Sequence, residues 1–415
     1  MADEVAVIAA GVFVLTFVLL SVRSIRSYRL DRPAVALFGA ALMIAFGVVS
    51  PADATAALED GLGVLILLLG MMLLVAGLDV CGFFDLVALR IAEQSQSQLH
   101  FLVLLFLTTA VLSALVLNDT IVLLMTPIVV KTCRTLRIKA VPFLVGLALA
   151  ANIGSVATPV GNPQNAYIAI AGGIPFATFT LALLPVAALS LGIGLAFVWL
   201  AFRRDLAGRV EGFEEARKAA PAIVQRRGLF LTLAILSGTV AAFSLSTPPM
   251  LPFVALVGGA LVLLLLPALA HATPRTLFEK VDWSILILFL GLFIVMKGVE
   301  TSGLLQGILA GFGGAGVTAD VWRLSAATAV VSNLVSNVPA VLLLAPAVTE
   351  TRMWLALAAS STLAGNATIL GAAANIIVAQ VAAKAGADIS MKDFMKAGLP
   401  TALATVIVAA LVLSL

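Results

Sequence analysis

The sequence predicts an all-α polytopic membrane protein built from two inverted repeats, with about 10 spans and two re-entrant hairpins. Three observations carry this. Charged residues make up 11% of the chain and hydrophobic residues 62%, against about 25% charged in a soluble domain. Mean hydropathy is +1.17. Several apolar runs approach the roughly 20 residues a membrane helix needs, and three blocks of the first half recur in order in the second.

The elements follow in order. The first run, 5–22, opens on Met-Ala-Asp-Glu. Acids stand where a signal peptide has basic residues, so it reads as a first span. The loop Arg23, Arg26, Arg29, Arg32 is basic and is placed in the cytoplasm, with the N-terminus outside. Run 33–49 leads to an acidic loop with Asp53, Glu59 and Asp60, which suits the outside, and run 61–77 returns. The next stretch, about 100–131, ends on Lys131, Arg134, Arg137 and Lys139, a second cytoplasmic cluster. A stretch that starts and ends on one side is a hairpin, with its turn near Leu117-Asn118-Asp119-Thr120. Non-helical backbone at that depth needs protein or a water-filled cavity around it. A broken helix, about 140–171, is interrupted at Thr158-Pro-Val-Gly161-Asn-Pro163. After a span near 176–202, segment 203–228 is the longest hydrophilic stretch and reads as a cytoplasmic linker between repeats 1–202 and 229–415.

The second half repeats the plan at a nearly constant offset. Gly70, Gly77 and Gly82 match Gly291, Gly298 and Gly303; Ser113, Asn118 and Pro127 match Ser332, Asn337 and Pro346; Thr158, Gly161 and Asn165 match Thr368, Gly371 and Asn375. Because this half starts from the cytoplasm, its copy is upside down. Its hairpin, about 323–350, enters from outside and its broken helix, about 353–383, runs inward. The C-terminus then lies outside, with Lys384, Lys392 and Lys396 in the cytoplasm.

Two tips and two breaks converge near the midplane. Half-helix N-termini suit an anion; broken-helix carbonyls with Asn and Thr oxygens suit a small cation. The candidate binding residues are Asn118, Asp119, Thr120, Thr158, Gly161, Asn162, Asn165, Ser336, Asn337, Thr368, Gly371 and Asn375. An Asn at a turn also serves simply to cap it, and Gly161 and Gly371 also serve tight turns or close packing. Asp119 is the sharpest residue: a carboxylate at the bilayer centre costs about 3 kcal/mol, so it reads as proton carrier or cation ligand. Lys297 and Glu300, one turn apart, read first as a local pair and otherwise as ion-handling residues. Cys81 and Cys133 have no metal spacing, His100 and His271 are isolated, and no Gly-Lys-Ser/Thr phosphate loop occurs. No cofactor, metal or nucleic-acid partner is expected beyond a transported ion, H⁺ or Na⁺.

These blocks resemble the ion-transporter superfamily, which includes arsenite permeases, sodium/proton antiporters of the same fold, and citrate or dicarboxylate transporters. The block from Asn118 to Pro127 is similar to the arsenite permease hairpin tip, Ala-Asn-Asp-Gly with a downstream Thr-Pro. Residues 152–165 are similar to the first broken-helix motif, and most of all to a bacterial branch of anion transporters. The departures bear on substrate. Dicarboxylate carriers use Ser-Asn-Thr at both tips, whereas this chain has Leu117-Asn118-Asp119-Thr120 and Ser336-Asn337-Val338. An acid beside the site repels a dianion unless it is protonated or cation-paired.

The resemblance implies a secondary transporter of the bacterial inner membrane. It would carry a small anion or oxyanion coupled to H⁺ or Na⁺, with Asp119 as coupling residue. It also implies an elevator-like movement and a homodimer. A sodium/proton antiporter of the same fold is the alternative. A channel or an intramembrane enzyme is the reading from another class. The enzyme would need a nucleophile with a base, or a metal cluster, and neither is visible.

Overall fold

The computed structural model describes residues 2–21, 24–25, 28–29, 31–208, 224–311 and 320–415. Arg23 and Arg26 of the first basic loop, and most of the linker (209–223), lie outside the described residues. Apart from a two-residue antiparallel ladder, Ser24–Ile25 with Tyr28–Arg29, the described chain is helical.

The helices are α1 (Ala2–Ser21), α2 (Arg32–Ala45), α3 (Pro51–Val80), α4 (Phe83–Gln94), α5 (Gln98–Leu115), α6 (Asn118–Thr135), α7 (Val141–Ser155), α8 (Pro163–Ala171) and α9 (Phe176–Phe202). The second half supplies α10 (Arg226–Leu245), α11 (Leu251–Leu265), α12 (Pro274–Glu279), α13 (Trp283–Thr301), α14 (Leu304–Gly311), α15 (Val321–Val335), α16 (Asn337–Leu344), α17 (Thr351–Ala364), α18 (Ala373–Lys384) and α19 (Met391–Ser414). Among the described residues, 7 of these segments are long and apolar enough to cross a membrane, and shorter apolar helices fill the space between them.

Local chemistry sets the helix starts. Pro51 opens α3, and Ser50 caps it by accepting from Asp53 N at 3.1 Å. The proline loses an amide that had no partner there, and Asp53 faces the positive helix end. Asp282 caps α13 through Ser284 N at 3.0 Å.

The two halves pack by exchange. Helix α3 of the first half lies on α11 of the second, and α13 of the second lies on α2 of the first. A β-carbon at Gly70 would overlap the Ala255 main chain, and one at Gly291 would overlap that of Ala36. Those glycines match each other in the repeat. Only a missing side chain lets the backbones approach so closely.

The ends of the first hairpin meet one loop. Gln98 N donates to Gly208 O at 3.2 Å, and Lys139 pairs with Asp205 at 2.6 Å. Helices α5 and α6 therefore begin and end on the same face. Helix α5 is long enough to cross a membrane by itself. Its inner end nevertheless turns at Val116–Leu117 and meets the break between α7 and α8, where Asn118 N donates to Gly161 O at 2.9 Å. The second hairpin, α15 and α16, turns at Ser336. There φ is +79° with ψ at 162°, a conformation almost reserved for glycine.

Candidate functional site

The two breaks close by the same device. Asn165 Nδ2 donates to Ser155 O at 3.0 Å and Thr158 O at 3.1 Å, reaching back 10 and 7 residues. Asn375 Nδ2 donates to Gly365 O at 2.8 Å and Thr368 O at 2.9 Å, again 10 and 7 residues back. A helix that stops leaves carbonyls without partners, and a side-chain amide with two N–H groups serves two of them. The glycines between them are there for closeness. A β-carbon at Gly161 would strike Ser155 O, and one at Gly371 would strike Gly365 O. Both glycines also close a tight turn, Gly161 N donating to Thr158 O and Gly371 N to Thr368 O, and neither has positive φ, so closeness is what requires glycine there.

Each hairpin tip is tied to its own break. Asn118 N bonds Gly161 O, and Asn118 Oδ1 accepts from Asp119 N at 2.9 Å. Asn337, with its amide nitrogen turned toward acceptors, donates to Gly371 O at 2.9 Å and Ser361 O at 3.0 Å. The Thr158 hydroxyl donates to Ala114 O on α5, which fastens the first hairpin to its break. Asn162 caps α8 by accepting from Asn165 N at 2.9 Å; Ala372 stands at the matching place and supplies no cap.

A network that sequence reasoning did not single out joins the halves. Asn152, fully buried on α7, accepts from Asn118 Nδ2 at 3.2 Å and donates to Asn366 Oδ1 and Asn375 Oδ1, both at 2.9 Å. Thr362, fully buried on α17, lies 3.3 Å from Asn162 Nδ2 and 3.2 Å from Gln164 Nε2. The available signal was an amide and a hydroxyl at matching places in two mostly apolar half-helices.

Against this frame lies a cavity of about 840 Å³. At its protein end stand Asn118 and Asp119, Gln164, and Ser336 with Asn337. Asp31, Arg32, Asp282 and Lys384 line it where helices begin or end. Of the residues marked from sequence, Asn118, Asp119, Ser336 and Asn337 border the cavity. Asn162, Asn165 and Asn375, together with Thr158, Gly161 and Gly371, form the wall behind it, while Thr120 and Thr368 do not line it. Asp119 is 8% exposed, and its carboxylate makes no hydrogen bond or ion pair with a described residue. It sits in the first turn of α6, where the helix dipole favours its charge. The matching position in the second half is Val338, so the site is chemically one-sided.

A second, smaller pocket of about 110 Å³ lies across the molecule, lined by Asp60, Tyr167, Phe293, Lys297 and Glu300. Lys297 and Glu300 form a pair at 3.0 Å, as their spacing suggested. Only one helical turn of α8 separates Gln164 on the large cavity from Tyr167 on the small pocket. Three residues rise about 4.5 Å in an α-helix. Phe293 lines the small pocket, with its ring 6.3 Å from that of Tyr167 and in the notch left by Gly61, while Phe289 and Leu292 of the same helix line the large cavity.

With this geometry in place, comparison with known proteins is informative. The citrate transporter family matches residues 15–353. The chain belongs to that family. A Mycobacterium tuberculosis protein described as an uncharacterized transporter is 30% identical over 98% of both chains. The silicon efflux transporter LSI3 of Oryza sativa subsp. japonica is 30% identical over 95% of this chain and 94% of its own. A Dictyostelium discoideum transporter named arsB is 31% identical over 45% of this chain and 33% of its own. Members of the family are transporters and not enzymes, so this chain is a multi-pass membrane transporter for a small solute.

Proposed function

We propose that the chain is a secondary transporter for a small, weakly acidic oxyacid, carried uncharged or singly ionised and coupled to a proton held by Asp119. The carrying observation is Asp119 itself. It is a buried carboxylate that makes no ion pair with a described residue, on the wall of a cavity that it shares with Arg32 and Asp282 and with amides and a hydroxyl from Asn118, Gln164, Asn337 and Ser336. Such groups hydrogen-bond a polyhydroxylated molecule well, since each both donates and accepts. They give a dianion little compensation, and Asp119 repels it. The rice relative's name, a silicon transporter, fits the same chemistry: silicic acid is uncharged at neutral pH and presents only hydroxyls.

The cavity supports an inward-open state. Lys384 lines the cavity, and next to Lys384 the Ala385 carbonyl accepts from Arg134 Nη2 at 2.6 Å, at the basic end of α6 that also carries Lys131. Excess Lys and Arg on that face support its placement in the cytoplasm, in a bacterial inner membrane with both termini outside. Transport would then break the Phe293–Tyr167 barrier and seal the cytoplasmic mouth. The repeats themselves, 1–202 and 229–415, supply the two related halves such a motion needs.

The test is counterflow in proteoliposomes holding unlabelled silicic or arsenous acid. Saturable exchange that citrate and succinate fail to compete supports the reading. Competition by the dicarboxylates, or sodium/proton exchange with no oxyacid movement, overturns it.

A further inference from the structure

Each repeat carries, on its first half-helix, a polar residue that contacts the break of the other repeat. Asn152 on α7 reaches Asn366 and Asn375 in the second break. Its repeat partner on α17 is Thr362, which takes the amides of Asn162 and Gln164 in the first. Both are fully buried and neither borders the cavity.

The connections are directional. Asp119 N donates to Asn118, Asn118 to Asn152, Asn152 to Asn375, and Asn375 to the carbonyls of Gly365 and Thr368. Bonds aligned head to tail polarise one another, and both N–H groups of Asn152 are used. The second link is as economical. One hydroxyl oxygen holds the residue that caps α8 and, two positions on, the glutamine that lines the cavity.

We infer that Thr362 and Asn152 are positioning residues: each fixes the break of the opposite repeat, so that cavity groups from both halves stay aligned as one site. Thr362 does this for Gln164 through two amide contacts. Asn152 does it for Asn118 and the second break through three. A contact of this kind crosses the halves, so it can hold only while the two breaks keep their mutual position. That makes it a link between substrate alignment and the arrangement of the repeats.

The part concerning substrate rests on the oxyacid reading above, so the test has two readouts. The first needs no substrate. Hydrogen–deuterium exchange is followed over residues 156–165 in the full chain in nanodiscs, for wild type, Thr362→Ser and Thr362→Val. Valine keeps the shape and removes the oxygen; serine keeps the oxygen. Loss of both contacts speeds exchange of the Asn165 amide about tenfold in Thr362→Val. Thr362→Ser stays within about twofold of wild type. Equal exchange in all three overturns the positioning role, whatever the protein carries.

The second readout is arsenous acid counterflow. Thr362→Val raises KM about tenfold with the maximal rate nearly kept, and Thr362→Ser restores wild-type KM. A fall in rate with unchanged KM overturns substrate alignment. Absence of counterflow in wild type refutes the oxyacid reading and leaves the exchange result to decide the positioning role.

Discussion

Replacing Asn375 with Ala should destabilise the protein more than replacing Asn165 with Ala, although the two asparagines close their breaks identically. Both give two N–H groups to main-chain carbonyls 10 and 7 residues back. They differ on the acceptor side. Asn375 Oδ1 accepts from Asn152 at 2.9 Å, whereas Asn165 Oδ1 is buried with no partner. Either alanine strands two buried carbonyls. Asn375→Ala also takes one partner from Asn152. A stranded buried polar group costs about 1–3 kcal/mol, and Asn152 keeps Asn366 as a second acceptor, so the extra loss lies at the low end, about 1 kcal/mol. For a chain this large that is about 1 °C in Tm. Cys81 and Cys133 are both buried, so a thiol-reactive fluorophore reports their exposure on heating. Equal shifts for the two variants, or a larger one for Asn165→Ala, would refute the network as described.

Three further outcomes follow from the geometry. Ser336→Gly removes a conformation that costs a non-glycine residue about 1–3 kcal/mol, so it should raise Tm while weakening oxyacid binding by loss of a hydroxyl at the cavity; a lowered Tm would contradict the strain. Phe293→Ala should open the one-turn barrier between the cavities and give passive oxyacid leak in liposomes without counter-substrate; tight vesicles would place the barrier elsewhere. Gln96→Cys should react with an impermeant maleimide only from the cytoplasmic side and Ala52→Cys only from outside, with buried Cys81 and Cys133 silent; the reverse pattern would invert the orientation.

The scaffold was legible because it follows from local rules. Apolar length gives helices, basic loops give sides, and Pro163 after Gly161 gives a break that must reopen as a helix start. Repetition made Asn165 and Asn375 visible as a pair, since the same residue recurs four positions after a glycine. The partners of those residues were less legible. Asn152 and Thr362 lie within mostly apolar half-helices, beside serines such as Ser155, Ser360 and Ser361, and the breaks they touch lie in the opposite repeat, more than 190 residues away in sequence. No periodicity encodes a contact of that range. For the same reason Thr158 and Asn165 read from sequence as ligands, while the structure uses the Thr158 hydroxyl to join hairpin to break and the Asn165 amide N–H groups to close the break itself. Gln164 went unmarked, although it is, with Pro163, where the cavity reaches the first break.

The most direct test of Asp119 is proton movement during oxyacid transport, read by a pH-sensitive dye inside proteoliposomes for wild type and Asp119→Asn. Wild type should acidify or alkalise the lumen in step with substrate flux. The asparagine variant, inserted and folded, should lose that proton signal together with uphill transport. If Asp119→Asn moves protons and substrate together as wild type does, the carboxylate is not the coupling group.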